Sequence, residues 1–157
     1  MIEAIAAIDI NVFLNSTLGE NAWIPGAVLF ATWETIYMVF ISTAVSYIVG
    51  LPLALILVTT EKGHILENQR INEVLGAIVN AFRSIPFIIL LILLIPFTRL
   101  IVGTSIGTVA SIVPLSIAAI PFVARLVETS IKEIDWGLIE AALSMGANAW
   151  QIIRKVL

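Results

Sequence analysis

Apolar residues in this chain come in long unbroken runs, not in the short alternating groups of a water-soluble fold. Residues 35–60 carry no charge, and neither do residues 100–124. Each run exceeds the ~20 apolar residues a helix needs to cross ~30 Å of hydrocarbon. Residues 84–98 are also uncharged but too few, so a spanning helix there must begin near Val74 and take Arg83 with it. The pattern predicts three membrane helices, at about 29–59, 74–98 and 100–125, the last two joined at 98–100 by a tight hairpin. Pro52, Pro86, Pro96, Pro114 and Pro121 fall within or at the ends of these spans. Each frees a backbone carbonyl, which is tolerated where neighbouring helices satisfy it. The fold class is all-α integral membrane.

Residues 135–157 are too polar and too regular to be a further span. Read as one helix, Ile139, Leu143, Gly146, Trp150 and Ile153 share a stripe, with Glu140, Ser144, Ala147, Gln151 and Arg154 opposite. Asp135 suits the N-cap, and Asp135 and Glu140 complement the dipole of the helix start. Ala141, Ala142 and Gly146 leave little bulk, so a partner surface can approach the backbone, and Gly146 permits a bend that a Cβ would forbid. An amphipathic helix of this kind on a membrane domain reads as a docking element, carried by Glu140, Ala141, Ala142, Met145, Gly146 and Trp150. Its bland alternative is an ordinary interfacial helix.

Composition agrees with the pattern. Hydrophobic residues make up 60% of the 157, against roughly 45–50% in soluble domains, and mean hydropathy is +1.08. Charged residues are 12%, which leaves a soluble globule little to cover itself with. Zero cysteines exclude disulfides and thiol chemistry. The placement of Lys and Arg sets orientation. None precedes the first span, Lys62 and Arg70 follow it, Arg99 stands alone in the hairpin, and Arg125, Lys132, Arg154 and Lys155 follow the third span. Residues 1–28 are therefore expected outside (extracellular or periplasmic) and the Glu140 segment in the cytoplasm. Glu3 and Asp9 sit where a signal peptide needs positive charge. Ile2, Ile5, Ile8 and Phe13, with Trp23 as anchor, describe either an interfacial helix or a loosely ordered tail.

Other candidates are weaker. Arg83, with Ser84 and Pro86, either lines a translocation path or is structural, an ionisable group within a span being a functional candidate by default. Gly103, Gly107 and Ser111 make a small-residue face suited to close helix packing. His64, beside Glu61 and Glu67, reads as a solvated charge cluster, not a metal site. No Gly-x-x-x-x-Gly-Lys-Ser/Thr loop is present, so the chain is not expected to hydrolyse ATP. Ser84, Ser111 and Ser116 have no His or Lys in the spans to activate them, and no basic, aromatic-interleaved patch supports nucleic-acid binding.

Glu140-Ala141-Ala142, three residues, Gly146, then Val156 where the signature carries Ile, resembles the cytoplasmic loop of ABC-importer permeases. Residues 83–91 (RSIPFIILL), 95–99 (IPFTR), 101–107 (IVGTSIG), 121–125 (PFVAR) and 151–157 (QIIRKVL) are similar to the methionine-importer branch of that family. The resemblance covers about residues 30–157. It implies the front part of a type I importer permease, with the 135–157 segment as coupling helix and two further spans beyond Leu157. It also implies a second copy of the permease, two ABC ATPase subunits that bind the ATP, a lipoprotein that delivers substrate, surrounding membrane lipid, and no cofactor on this chain. A permease for another small solute, or a membrane scaffold, are the alternatives.

Overall fold

The computed structural model describes residues 23–156, together with Val12, Ser16 and Gly19–Asn21. Ile2, Ile5, Ile8 and Phe13, and any interfacial helix through them, lie outside the described residues. Among the described residues six α-helices follow one another: α1 (Ile24–Thr59), α2 (Gln69–Ser84), α3 (Phe87–Val102), α4 (Thr108–Lys132), α5 (Trp136–Ser144) and α6 (Ala149–Lys155). A 3-10 turn at Gly19–Asn21 precedes them. The chain divides into two compact units, residues 1–37 and 38–157. In the first, the Thr32 and Thr35 hydroxyls donate back to the Val28 and Ala31 carbonyls, and Leu29, Phe30 and Trp33 are exposed. The second unit holds everything that follows.

α1 and α4 are each long and apolar enough to cross a membrane. α2 and α3 meet that test only together, as one span bent by 108° at its break. This corrects the continuous helix expected over 74–98. Pro86 has no N–H to continue the ladder, and a residue before proline is pushed out of the helical region. Ile85 is accordingly extended, at φ −79° and ψ 124°. The expected hairpin at 98–100 also shifts. α3 runs on to Val102, where Gly103 takes a left-handed φ of 82° and donates its N–H to the Arg99 carbonyl.

α4 is the centre of the unit and packs against both α2 and α3. α1 crosses it through a stripe of small residues four apart, Ser42, Ser46, Gly50 and Ala54, all of them buried. The Ser46 hydroxyl reaches the Ser116 carbonyl at 3.1 Å, and a Cβ on Gly50 would stand 2.9 Å from Val123 Cγ1. Further along, Lys132 meets Glu61 at 2.8 Å. These three contacts advance together along both helices, so α1 and α4 run parallel and their C-terminal ends share one side. Large apolar side chains such as Ile48, Ile88, Leu93 and Leu100 point outward, the reverse of a soluble protein and the expected face toward hydrocarbon.

Candidate functional site

The segment after α4 is two short helices. Asp135 caps α5 by accepting the Gly137 N–H at 2.7 Å. α5 then ends in a left-handed glycine: Gly146 has φ 82°. Its N–H donates to the Leu143 carbonyl at 2.9 Å, and the Ala147 N–H donates to the Ala142 carbonyl at 3.0 Å. This pair of bonds is the Schellman closure, which needs a residue tolerant of positive φ at the turn. Asn148 then caps α6 in a reciprocal box with Gln151. The single helix and its Leu143–Trp150 stripe are thus corrected. Gly146 turns the chain, and Ile139, Ala142 and Ile152 become a small core between α5 and α6, with Ile65, Ala147 and Val156 packed around it.

The motif residues divide into two jobs. Ala142 is only 8% exposed and Ile152 is fully buried, so the second alanine is small because α6 packs there, not because a partner does. Glu140, Ala141, Met145, Gly146 and Trp150 face outward, Met145 at 83% exposure. Glu140 accepts the Trp136 indole N–H at 3.2 Å. A shallow cleft of about 360 Å³ opens between Met145, Gly146, Gln151 and Lys155.

Other sequence candidates land elsewhere. Arg83 and Ser84 close the last turn of α2 and are exposed. No charge is buried in mid-span there, since the break at Pro86 comes immediately after. An arginine at that position complements the negative end of the helix dipole. Gly103 and Gly107 are not on a packing face. They sit at the two ends of the α3–α4 turn, with φ 82° and 113° and nothing within 4 Å of a built Cβ. Ser111 in the first turn of α4 donates to the Gly107 carbonyl at 3.0 Å. His64 is half-buried, its ring 4.9 Å from that of Trp136 at an angle of 73°, so it packs on α5 instead of standing free in the loop.

Sequence reasoning also missed a polar cluster at the C-terminal ends of α1 and α4. Glu128 is 4% exposed. It accepts two bonds from Arg125, at 2.7 and 2.8 Å, and one ion pair from Lys132 at 3.1 Å. Arg125 also reaches Asn80 at 2.8 Å. Its signal was present as Arg125, Glu128 and Lys132 at spacings of three and four, the separation at which side chains on a helix meet.

The family described as the binding-protein-dependent transport system inner membrane component matches residues 50–157. The chain belongs to this family. The family is one of transport permease subunits. Among its relatives, the probable D-methionine transport system permease protein MetI of Vibrio cholerae is 59% identical over 82% of this chain and 57% of its own length. The D-methionine transport system permease protein MetI of Escherichia coli K12 is 54% identical over 80% of this chain and 58% of its own length. A solved structure of the MetNI methionine ABC transporter in an inward-facing conformation is 54% identical, with a TM-score of 0.78. That match covers 80% of this chain and 58% of the solved one. The all-helical fold expected, part of a type I importer permease, is therefore shown. The chain spans a little over half the length of these relatives.

Proposed function

We propose that this permease is part of the translocation path of an ATP-driven methionine importer, and that α5 and α6 are where its ATPase docks. The carrying observation is the build of the α5–α6 element. Its fold is closed internally by Gly146 and the Ile139–Ala142–Ile152 core. Glu140, Ala141, Met145 and Trp150 are thereby left on the outside with no structural task of comparable weight. A compact knob with an apolar tip and one carboxylate suits a groove on a soluble partner. Orientation rests on the Lys and Arg distribution, which puts this element in the cytoplasm and the N-terminus outside. The relatives' names support methionine as the substrate and an ATP-hydrolysing partner as the engine. Two permease copies, two ATPase subunits and an external lipoprotein that delivers methionine complete the system. ATP sits on the partner, and this chain holds no cofactor.

The test uses the complete permease co-expressed with its ATPase and binding protein. Radiolabelled methionine uptake and ATPase co-purification are read together. Gly146→Trp forces positive φ on a bulky side chain and fills the cleft, while Glu140→Lys reverses the exposed carboxylate. Each is expected to cut uptake at least tenfold and to strip the ATPase, with normal amounts of permease in the membrane. Leu100→Ile, on an exposed α3 position, serves as the mild control. If both variants retain the ATPase and transport like wild type, α5–α6 is not the docking element. Uptake of another solute without competition by excess methionine would overturn the substrate alone.

A further inference from the structure

We propose that the loop between α1 and α2, residues 60–68, is a strut through which displacement of the α5–α6 element is passed to the membrane helices. Glu61, His64, Lys132 and Glu128 are its positioning residues. The proposal rests on α5–α6 being the ATPase-docking element.

In the chain, α5 hangs from α4 only by the short link between Lys132 and Trp136. A link of that kind bends when pushed, so motion at α5–α6 would be lost before it reached a span. The loop removes that freedom by holding both sides. Toward α5–α6, the His64 ring meets Trp136 edge to face, and Ile65 packs on the Ile139–Ala142–Ile152 core. Trp136 in turn bonds Glu140 on the docking surface. Toward the spans, Leu66 N–H donates to the Thr59 carbonyl and Asn68 N–H to the Thr60 carbonyl, both at 3.0 Å. The Asn72 side chain, one turn into α2, donates to the Leu57 carbonyl at 2.6 Å. The loop is thereby tied to the end of α1 and the start of α2 at once.

The polar cluster closes the third side. Glu61 bonds Lys132, Lys132 also bonds Glu128, and Glu128 is gripped by Arg125, which reaches across to Asn80 on α2. Isolated pairs as exposed as Glu61 and Lys132 hold little by themselves. Here they are anchored on a carboxylate whose side chain is only 6% exposed. Taking a cation away from a buried carboxylate is strongly unfavourable, so the cluster resists opening. The His64 ring makes its contact with Trp136 edge to face, and its Nδ1 is buried with no hydrogen-bond partner among the described residues.

The experiment uses the complete permease assembled with its ATPase and binding protein in proteoliposomes. Two readouts are taken: methionine imported per ATP hydrolysed, and the ATP-driven change in distance between spin labels at Ile106→Cys in the two permease copies. The second needs no substrate. Glu61→Lys and Lys132→Glu are each expected to lower the import ratio five- to tenfold and to halve the distance change, with ATPase co-purification intact. Lys132→Arg, which keeps a cation between Glu61 and Glu128, leaves both within twofold of wild type. His64→Ala behaves like the single swaps, and His64→Phe, which keeps the ring contact, behaves like wild type. Where a charge reversal fails to assemble, Glu61→Gln decides, since it removes the Glu61–Lys132 pair and leaves Lys132 on Glu128: a fall in both readouts supports the strut, and wild-type values overturn it. Unchanged distance and ratio in both single swaps also overturn it. The docking reading fails separately, if Gly146→Trp still carries the ATPase.

Discussion

Gly50→Val tests the helix crossing on which the second unit is built. A Cβ at Gly50 would lie 2.9 Å from Val123 Cγ1, 3.1 Å from the Ile120 carbonyl oxygen and 3.1 Å from Val123 Cβ. The first of these is about half an ångström short of ordinary contact. The carbonyl is backbone, and valine in a helix is held in one rotamer about nine times in ten, so neither neighbour yields without moving α4. Overpacking of this kind costs about 1–3 kcal/mol, and the two further methyls of valine put the expected value at the upper end. Relief from helix propensity is small, about 0.4 kcal/mol for valine over glycine. Separation of the helices also stretches the Ser46–Ser116 bond of 3.1 Å, a type worth about 0.6 kcal/mol in membranes. The net expectation is a loss of about 2–3 kcal/mol, or roughly 5–10 °C in melting temperature for a chain of this size. Thermal unfolding of the detergent-solubilised complete permease measures it. Val123→Ala should recover at least ~1 kcal/mol in the Gly50→Val background, because residues in contact are not additive. Unchanged stability for Gly50→Val, or strict additivity with Val123→Ala, would refute the close crossing.

Two further outcomes are expected. In the cysteine-free background, a cysteine at Ile106 is labelled by an impermeant maleimide from outside intact cells, and one at Asn68 or Asn148 is not; labelling at Asn148 reverses the topology and removes ATPase docking with it. Asn72→Leu removes the bond to the Leu57 carbonyl and the weaker one to Thr60, leaves a part-buried carbonyl unpaired, and is expected to cost about 1–3 kcal/mol, read as lower thermal stability against an Ile71→Leu control on the exposed side of α2.

Much of this protein is determined by one-dimensional properties. Uncharged runs long enough for hydrocarbon made α1 and α4 legible, because a bilayer leaves a backbone no other way to satisfy its polar groups. Asp135 as a cap was legible for a similar reason, since capping depends on one side chain and the next two residues. The motif itself was legible as a pattern, and Glu140, Ala141, Met145 and Trp150 are exposed in the structure, though on two helices and not on the one helix the pattern implied. Periodicity failed where a single backbone angle intervened. One proline turned a predicted span through 108°, and one positive φ at Gly146 turned a predicted stripe into two helices around a core. Only the tertiary structure decided which small residues matter. Gly103-x-x-x-Gly107 and Ser42-x-x-x-Ser46-x-x-x-Gly50 look alike in sequence, but the first brackets a turn with open space around it, and in the second a Cβ on the glycine would stand 2.9 Å from a neighbouring helix. The same holds for Glu128. Its spacing to Arg125 and Lys132 is local, but its burial and its reach to Glu61 and Asn80 depend on α1 and α2 arriving beside α4, and no window along the chain contains that.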